Sequence, residues 1–218
     1  MKYLQHSNDH DFFTDDHIKN FLRHHKTGAD NFGRHKLGQI IRDAGYKEIL
    51  DAPAGSAVNF EVFKNQGLHL NKYIAFDLTQ KLLDEAKRRY GNEIMVCKGY
   101  VQEIDKVFAD NSIECIICRH VFEHLPPGDM ETVVQKMFNV AQRELILVFF
   151  LDLTNNADHI YEERSSNIEG HPEITHFWNQ FSNAKLMSFL SGLGAKIEKH
   201  YIKTPGAAAS DTIIRLIK

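Results

Sequence analysis

Short apolar runs alternate with stretches of helical periodicity, five times over, and this alternation constrains the fold more than any other feature. Glu48–Asp51 (EILD), 73–77 (YIAFD), 93–97, 113–118 and 144–151 read as strands. The last run is apolar almost throughout, which is the pattern of burial on both faces of a parallel sheet. Before the first strand, Leu37, Ile40, Ile41 and Ala44 mark one helical face, and Gly45 can close that helix. Phe60 and Phe63 lie on a second helix ending near Gly67. Thr79 is placed to cap a third over residues 80–90, with Leu82, Leu83, Ala86 and Tyr90 as its apolar stripe. Asp129 opens another, carrying Val133, Val134, Met137, Phe138 and Ala141.

The end of the chain follows a different rule. Residues 184–193 read as a helix, followed by two strands, 195–203 and 212–217. Only a stretch containing PGAAASD separates them, too short for a crossover helix, so they pair antiparallel. The expected fold is α/β: a doubly wound, mostly parallel seven-stranded sheet with a C-terminal antiparallel hairpin and helices on both faces. Residues 34–218 are expected to form one such domain. Residues 1–33, polar and rich in His, Asp and Phe, are expected to be a helical cover segment. Residues 152–182 show no clear periodicity. Loops of about 30 residues in a compact domain are functional or disordered, and this one follows the carboxyl end of a strand, where open α/β sheets bind ligands.

Composition narrows the function. Net charge is −3 over 218 residues, far from the basic balance of nucleic-acid binders. The segment 152–182 holds six acids and one base, Arg164, and an acidic cover repels phosphodiester backbones. A small neutral or cationic acceptor is therefore expected, and no nucleic acid. The first residues, MKYLQHSNDHDFF, do not read as a signal peptide. The longest apolar run, 145–151, falls well short of the roughly 18 residues of a membrane span. Three cysteines cannot build a disulfide framework, so a cytoplasmic setting with no membrane partner is expected. Cys115 and Cys118 form a CxxC, but residues three apart on a strand face opposite ways, which predicts two buried structural thiols.

Histidine is abundant, 13 in all; six precede the first strand and His159, His171 and His176 lie in 152–182. His171 and His176 with Glu173, or Asp16 with His17, raise a metal reading. No HExxH or paired helical spacing supports it, and no metal is expected.

The turns carry the chemistry. Asp51-Ala52-Pro53-Ala54-Gly55-Ser56-Ala57 follows the first strand, Asp77 closes the second in AFDLTQKLLDEAKRR, and CRHVFEHLPP follows the fourth. Together, over residues 34–218, these segments resemble class I S-adenosylmethionine-dependent methyltransferases, whose first turn reads DxGxGxG. The resemblance implies S-adenosylmethionine as cofactor, S-adenosylhomocysteine as product, and direct in-line transfer. It implies that Asp51, Ala52, Pro53, Ala54 and Gly55 hold the methionine end, with Asp51 near its amino group. Asp77 and Leu78 would take the ribose, since a carboxylate accepts two hydroxyl hydrogen bonds.

The glycine loop departs from the family pattern, with Pro53 at its first glycine position and Ala57 at its third. After the third strand, Gly99-Tyr100-Val101-Gln102 stands where the family has Gly-Asp; the Val101 N–H and Gln102 would meet adenine. Arg119 would border the cofactor. His120, whose pKa range suits a base, would activate the acceptor. The resemblance further implies that the N-terminal segment and the 152–182 loop cover the substrate, which makes Arg34, Tyr161, Arg164, His176 and Trp178 pocket candidates. Glu123 and His124 read as an interaction pair on the segment after the fourth strand. The departures also fit a non-catalytic binding or scaffold subunit of the same fold. The missing GxGxxG and the terminal hairpin count against a dinucleotide oxidoreductase.

Overall fold

The computed structural model describes residues 2–3, 19, 31–150, 153–165, 174–203 and 210–218. Ten strands lie among them: β1 (Lys2–Tyr3), β2 (Glu48–Asp51), β3 (Lys72–Asp77), β4 (Met95–Lys98), β5 (Ile113–Arg119), β6 (Ala141–Phe149), β7 (Glu163–Ser165), β8 (Ile174–Phe177), β9 (Lys196–Lys203) and β10 (Ser210–Ile217). The α-helices are α1 (Asn31–Ala44), α2 (Val58–Asn65), α3 (Gln80–Tyr90), α4 (Ile104–Val107), α5 (Asp129–Val140) and α6 (Asn183–Gly192). Seven strands form one sheet in the order β4-β3-β2-β5-β6-β10-β9. β2 pairs parallel with β3 and β5, β3 with β4, and β5 with β6, while β10 runs antiparallel to β6 and β9. This is the doubly wound sheet with a terminal hairpin that the alternation predicts.

Side-chain alternation along the central strands divides the interior into two cores. Cys118 and Ile116 of β5, with Leu145, Leu147 and Phe149 of β6, pack with Ile104 of α4, Val133 and Met137 of α5, and Leu186 and Leu190 of α6. Cys115 and Ile117, with Ile146 and Val148, pack against Leu37 and Ile41 of α1, Phe60 and Phe63 of α2, and Leu83 and Ala86 of α3. The two thiols of the CxxC thus sit in different cores, both buried. Two boundaries differ from the sequence reading. Gly91, with φ 56°, ends α3, and residues Gly91–Glu93 make a 3-10 turn, which delays β4 to Met95. β6 begins at Ala141, directly after α5, and not at Glu144.

A second, three-stranded sheet has the order β1-β8-β7. Lys2 and Tyr3 pair parallel with Ile174 and Thr175, and β7 pairs antiparallel with β8. Within the segment expected to be a helical cover, Lys2–Tyr3 form a strand and Lys19 is helical, while 4–18 and 20–30 lie outside the described residues; β1 shares this sheet with the segment after β6. Strands of two to four residues are too short for a period of two to show in the sequence. Among the described residues no helix is long and apolar enough to cross a membrane.

At the end of the sheet where β6 begins, Glu144 is completely buried and takes both Nε and Nη2 of Arg215, at 2.6 and 2.8 Å. Arg215 Nη1 also binds Glu198 at 2.6 Å, which ties β6, β10 and β9 together. Removing one partner of a buried pair leaves an uncompensated charge. Arg215→Met is expected to lower the unfolding free energy by about 3–5 kcal/mol in urea denaturation, and adding Glu144→Leu to recover part of that loss.

Candidate active site

β2, β3 and β5 are neighbours, and their carboxyl ends carry Asp51, Asp77 and Arg119. Strand order reverses between β2 and β5, and the crevice outside the strand ends at such a switch point is where open α/β sheets bind ligands.

Asp51 is completely buried. Asn59 of α2 donates from Nδ2 to both its oxygens, at 3.1 and 3.0 Å, and the Tyr73 hydroxyl of β3 donates to Oδ2. Arg34 of α1 in turn donates from Nε to Asn59 Oδ1 at 2.8 Å. Burial pushes the Asp51 carboxyl up to about 6, against the pull of Tyr73, Asn59, Arg34 and Arg119. Asp51 thus sits beneath the loop, and Arg34, itself buried, reaches it through Asn59.

The turn after Asp51 is held from both sides. The Ala52 N–H donates to Ile117 O at 2.9 Å, and the Ala54 N–H to Phe76 O at 2.9 Å. The Ala52–Pro53 peptide is cis. Ala57, at the third glycine position, is buried and left-handed with φ 58°, and it opens α2. The Gly55 N–H donates to Asp77 Oδ2 at 2.8 Å, and the Thr79 N–H to Oδ1 at 2.8 Å. Burial raises the Asp77 carboxyl, opposed by these N–H groups. Beside it, Gly99 donates to Asp77 O at 3.0 Å, and a Cβ at Gly99 would lie 2.5 Å from the Phe76 ring. Leu78 and Tyr100 are half-buried, and Val101 is buried at the start of a 3-10 turn. Gln102 Nε2 lies 3.5 Å from Asp129 Oδ2, and its carbonyl accepts from Lys136 at 2.7 Å.

After β5 the chain presents Arg119 and His120. Both meet Asp211 of β10: Arg119 Nη2 donates to Oδ2 at 3.2 Å, and His120 Nε2 lies 2.8 Å from Oδ1. The His120 ring meets Phe150 edge-on at 5.2 Å, Phe150 meets Trp178 at 6.0 Å, and Trp178 meets His124 at 5.4 Å. The Arg164 guanidinium lies over Trp178 at 5.3 Å and binds Glu162. Two pocket candidates, Arg164 and Trp178, are thereby linked to His120. Tyr161 stands exposed beside His159, 5.9 Å away. His176 lies on β8, and its side chain falls outside the described residues. Glu123 Oε1 accepts the Phe150 N–H at 2.6 Å, and His124 Nδ1 lies 3.0 Å from Phe177 O.

The donors fit S-adenosylmethionine at the strand ends in three respects. The Asp77 carboxylate, an acceptor of the kind ribose hydroxyls need, is fixed at the strand end by the N–H groups of Gly55 and Thr79, with the Thr79 hydroxyl and the Leu78 N–H beside them. Ala54 and Gly55 are only half-buried, so loop backbone is within reach of a ligand. The Ser56 hydroxyl is buried with no hydrogen-bond partner among the described residues. Sequence reasoning missed Asn59, Tyr73 and Asp211. Each completes a contact over 8 to 91 positions, and no local pattern marks such a pairing.

Residues 50–149 match the methyltransferase domain family. The fold is that of class I S-adenosylmethionine-dependent methyltransferases. The magnesium protoporphyrin IX methyltransferase of Synechocystis PCC 6803, solved with bound SAM, is 15% identical to this chain with TM-score 0.68, over 95% of this chain and 94% of that one. The 1,6-didemethyltoxoflavin-N1-methyltransferase of Burkholderia thailandensis, solved with 1,6-didemethyltoxoflavin and S-adenosylhomocysteine, is 14% identical with TM-score 0.66, over 95% and 88%. At these identities the likeness is one of fold. No curated protein matches this chain in sequence.

Because the fold raises the Asp51 carboxyl from its usual 3.8 to about 6, the folded protein holds that proton more tightly than the unfolded chain. The stabilisation is complete below pH 3.8 and is lost as pH rises through about 6. Relative to Asp51→Asn, the wild type is expected to lose about 2 kcal/mol of stability between pH 4 and pH 7. Denaturant titrations of both proteins across that range measure it; a constant difference contradicts the assignment.

Proposed function

We propose that this methyltransferase binds S-adenosylmethionine across the ends of β2, β3 and β4 and methylates a small-molecule acceptor by direct in-line transfer. The observation that carries the reading is the joining, at the sheet's switch point, of an acidic β3 end, a half-buried glycine turn and a histidine after β5. Residues 34–218 act as one catalytic unit, with 1–33 and 152–182 as its substrate-side covers. The pairing of β1 with β8 supports a shared cover.

Bound, the cofactor supplies an electrophilic methyl on a sulfonium. The chain's own residues bind, orient and exclude water. Asp77 receives the ribose hydroxyls, which compete with the Thr79 hydroxyl and the Leu78 N–H for its oxygens. Ala54, Gly55 and the Ser56 hydroxyl meet the methionine end. The Val101 N–H and Gln102 meet the adenine, and Gly99 keeps that turn close to Phe76. Asp51 acts through the loop it supports. His120 takes the acceptor's proton, and Phe150 and Trp178 wall the acceptor side.

Aromatic faces beside an acidic segment favour a neutral or cationic acceptor. Part of that acidity is already neutralised, since Glu162 pairs with Arg164 and Asp158 with Lys185. Cysteine usage supports a cytoplasmic setting. A second reading, a cofactor-binding subunit without turnover, is favoured by Pro53 and by the left-handed Ala57 in the glycine turn.

With S-adenosylhomocysteine at 100 times its dissociation constant, the wild type is expected to gain about 2.7 kcal/mol, read as a thermal shift. Asp77→Ala, compared with its own ligand-free midpoint, is expected to gain little. An unshifted wild type overturns the proposal. Binding with no methyl transfer across a panel of hydroxyl and amine acceptors favours the second reading.

A further inference from the structure

Asp211 has no part in the reaction as proposed, yet it is the carboxylate that faces the proposed base. It lies at the start of β10, next to Thr212, which stands opposite Phe149 of β6. Its side chain is almost wholly buried and binds His120 with one oxygen and Arg119 with the other. α1 closes another side: a Cβ on Gly33 would lie 1.8 Å from Asp211 Oδ2, so a larger residue there would push the carboxylate aside. His120 is itself left-handed, with φ 55°, a conformation uncommon outside glycine. Its N–H on Val148 O, at 2.9 Å, and its ring contact with Phe150 hold it there. Backbone strain kept in place by surrounding contacts is a mark of functional positions.

We propose that Asp211 is a positioning residue that accepts the Nε2–H of His120, fixing the ring's orientation and leaving its lone pair on Nδ1. The inference rests on the reading of His120 as the base. A neutral imidazole carries one N–H, and an ionised carboxylate only accepts, so the hydrogen between the two belongs to Nε2. Burial raises the Asp211 carboxyl, but His120 and Arg119 outweigh it and hold the group below its usual range. Arg119 thus serves Asp211, on the far side from the acceptor's proton. As the acceptor's oxygen or nitrogen forms its bond to the methyl carbon, the S–C bond breaks and its electron pair stays on sulfur. The acceptor's proton passes to Nδ1, and the ring becomes an imidazolium whose Nε2–H still points at an ionised carboxylate. Gly33 makes this arrangement depend on the seating of α1, the element that leads in from the N-terminal cover.

Histidine-15N-labelled protein tests the proposal without an acceptor. His120 signals are assigned by their loss in His120→Gln. Above the ring's titration, the wild type is expected to carry its hydrogen on Nε2. In Asp211→Asn the titration midpoint of His120 is expected to fall by about one to three units. Gly33→Ala, which alters no charge but displaces the carboxylate, is expected to lower it in the same direction and carries the test if Asp211→Asn does not fold. A hydrogen on Nδ1 in the wild type overturns the proposal, as does an unchanged midpoint in a folded variant. S-adenosylhomocysteine affinity, read on the same samples, separates the two claims. The expected tautomer without binding supports Asp211 and sinks the methyl-transfer reading, whereas binding with the opposite tautomer sinks only the role of Asp211.

Discussion

A single buried carboxylate organises the end of the sheet where the site lies. Asp51 has no exposure to solvent, and an ionised group is stable in such a place only if its lone pairs are filled. Asn59 and Tyr73 fill them, and Arg34 backs Asn59. Four elements, α1, β2, α2 and β3, are thereby fixed at one point, directly beneath the turn from Ala52 to Ala57. The turn needs this support because two of its three glycine positions hold Pro53 and Ala57. Its remaining glycine, Gly55, is pinned to Asp77. The turn is thus held from below and from the side.

A second buried carboxylate, Asp211, does for the end of β5 what Asp51 does for the end of β2. α1 touches both: Gly33 packs on Asp211, and the next residue, Arg34, reaches Asn59. Arg119 connects them electrostatically, since it binds Asp211 and also pulls the Asp51 carboxyl down. The two halves of the site therefore share a helix and a guanidinium, and a shift of α1 is felt at both.

The strands and their order were legible because burial on two faces forces long apolar runs, as in 144–151, and because short turns force antiparallel pairing, as between β9 and β10. The acids at Asp51 and Asp77 were legible because each closes such a run. What those acids do was only half legible. Nothing around Asp51 in the chain announces Asn59 and Tyr73 as its partners, and so its enclosure could not be read. Asp211 lies 91 positions from His120 and sits in a stretch that reads as a simple turn. The small sheet of β1, β7 and β8 escaped because its strands are shorter than the pattern that identifies a strand. The acidity of 152–182 was visible, but not its partial cancellation by Lys185, which belongs to α6.

The central claim is that the ends of β2, β3 and β4 form one cofactor site on a scaffold fixed by Asp51. Amide hydrogen exchange with and without S-adenosylhomocysteine tests it most directly. The account predicts added protection confined to three segments: 54–57, 77–79 and 99–102. Protection elsewhere with none in those three turns would contradict it.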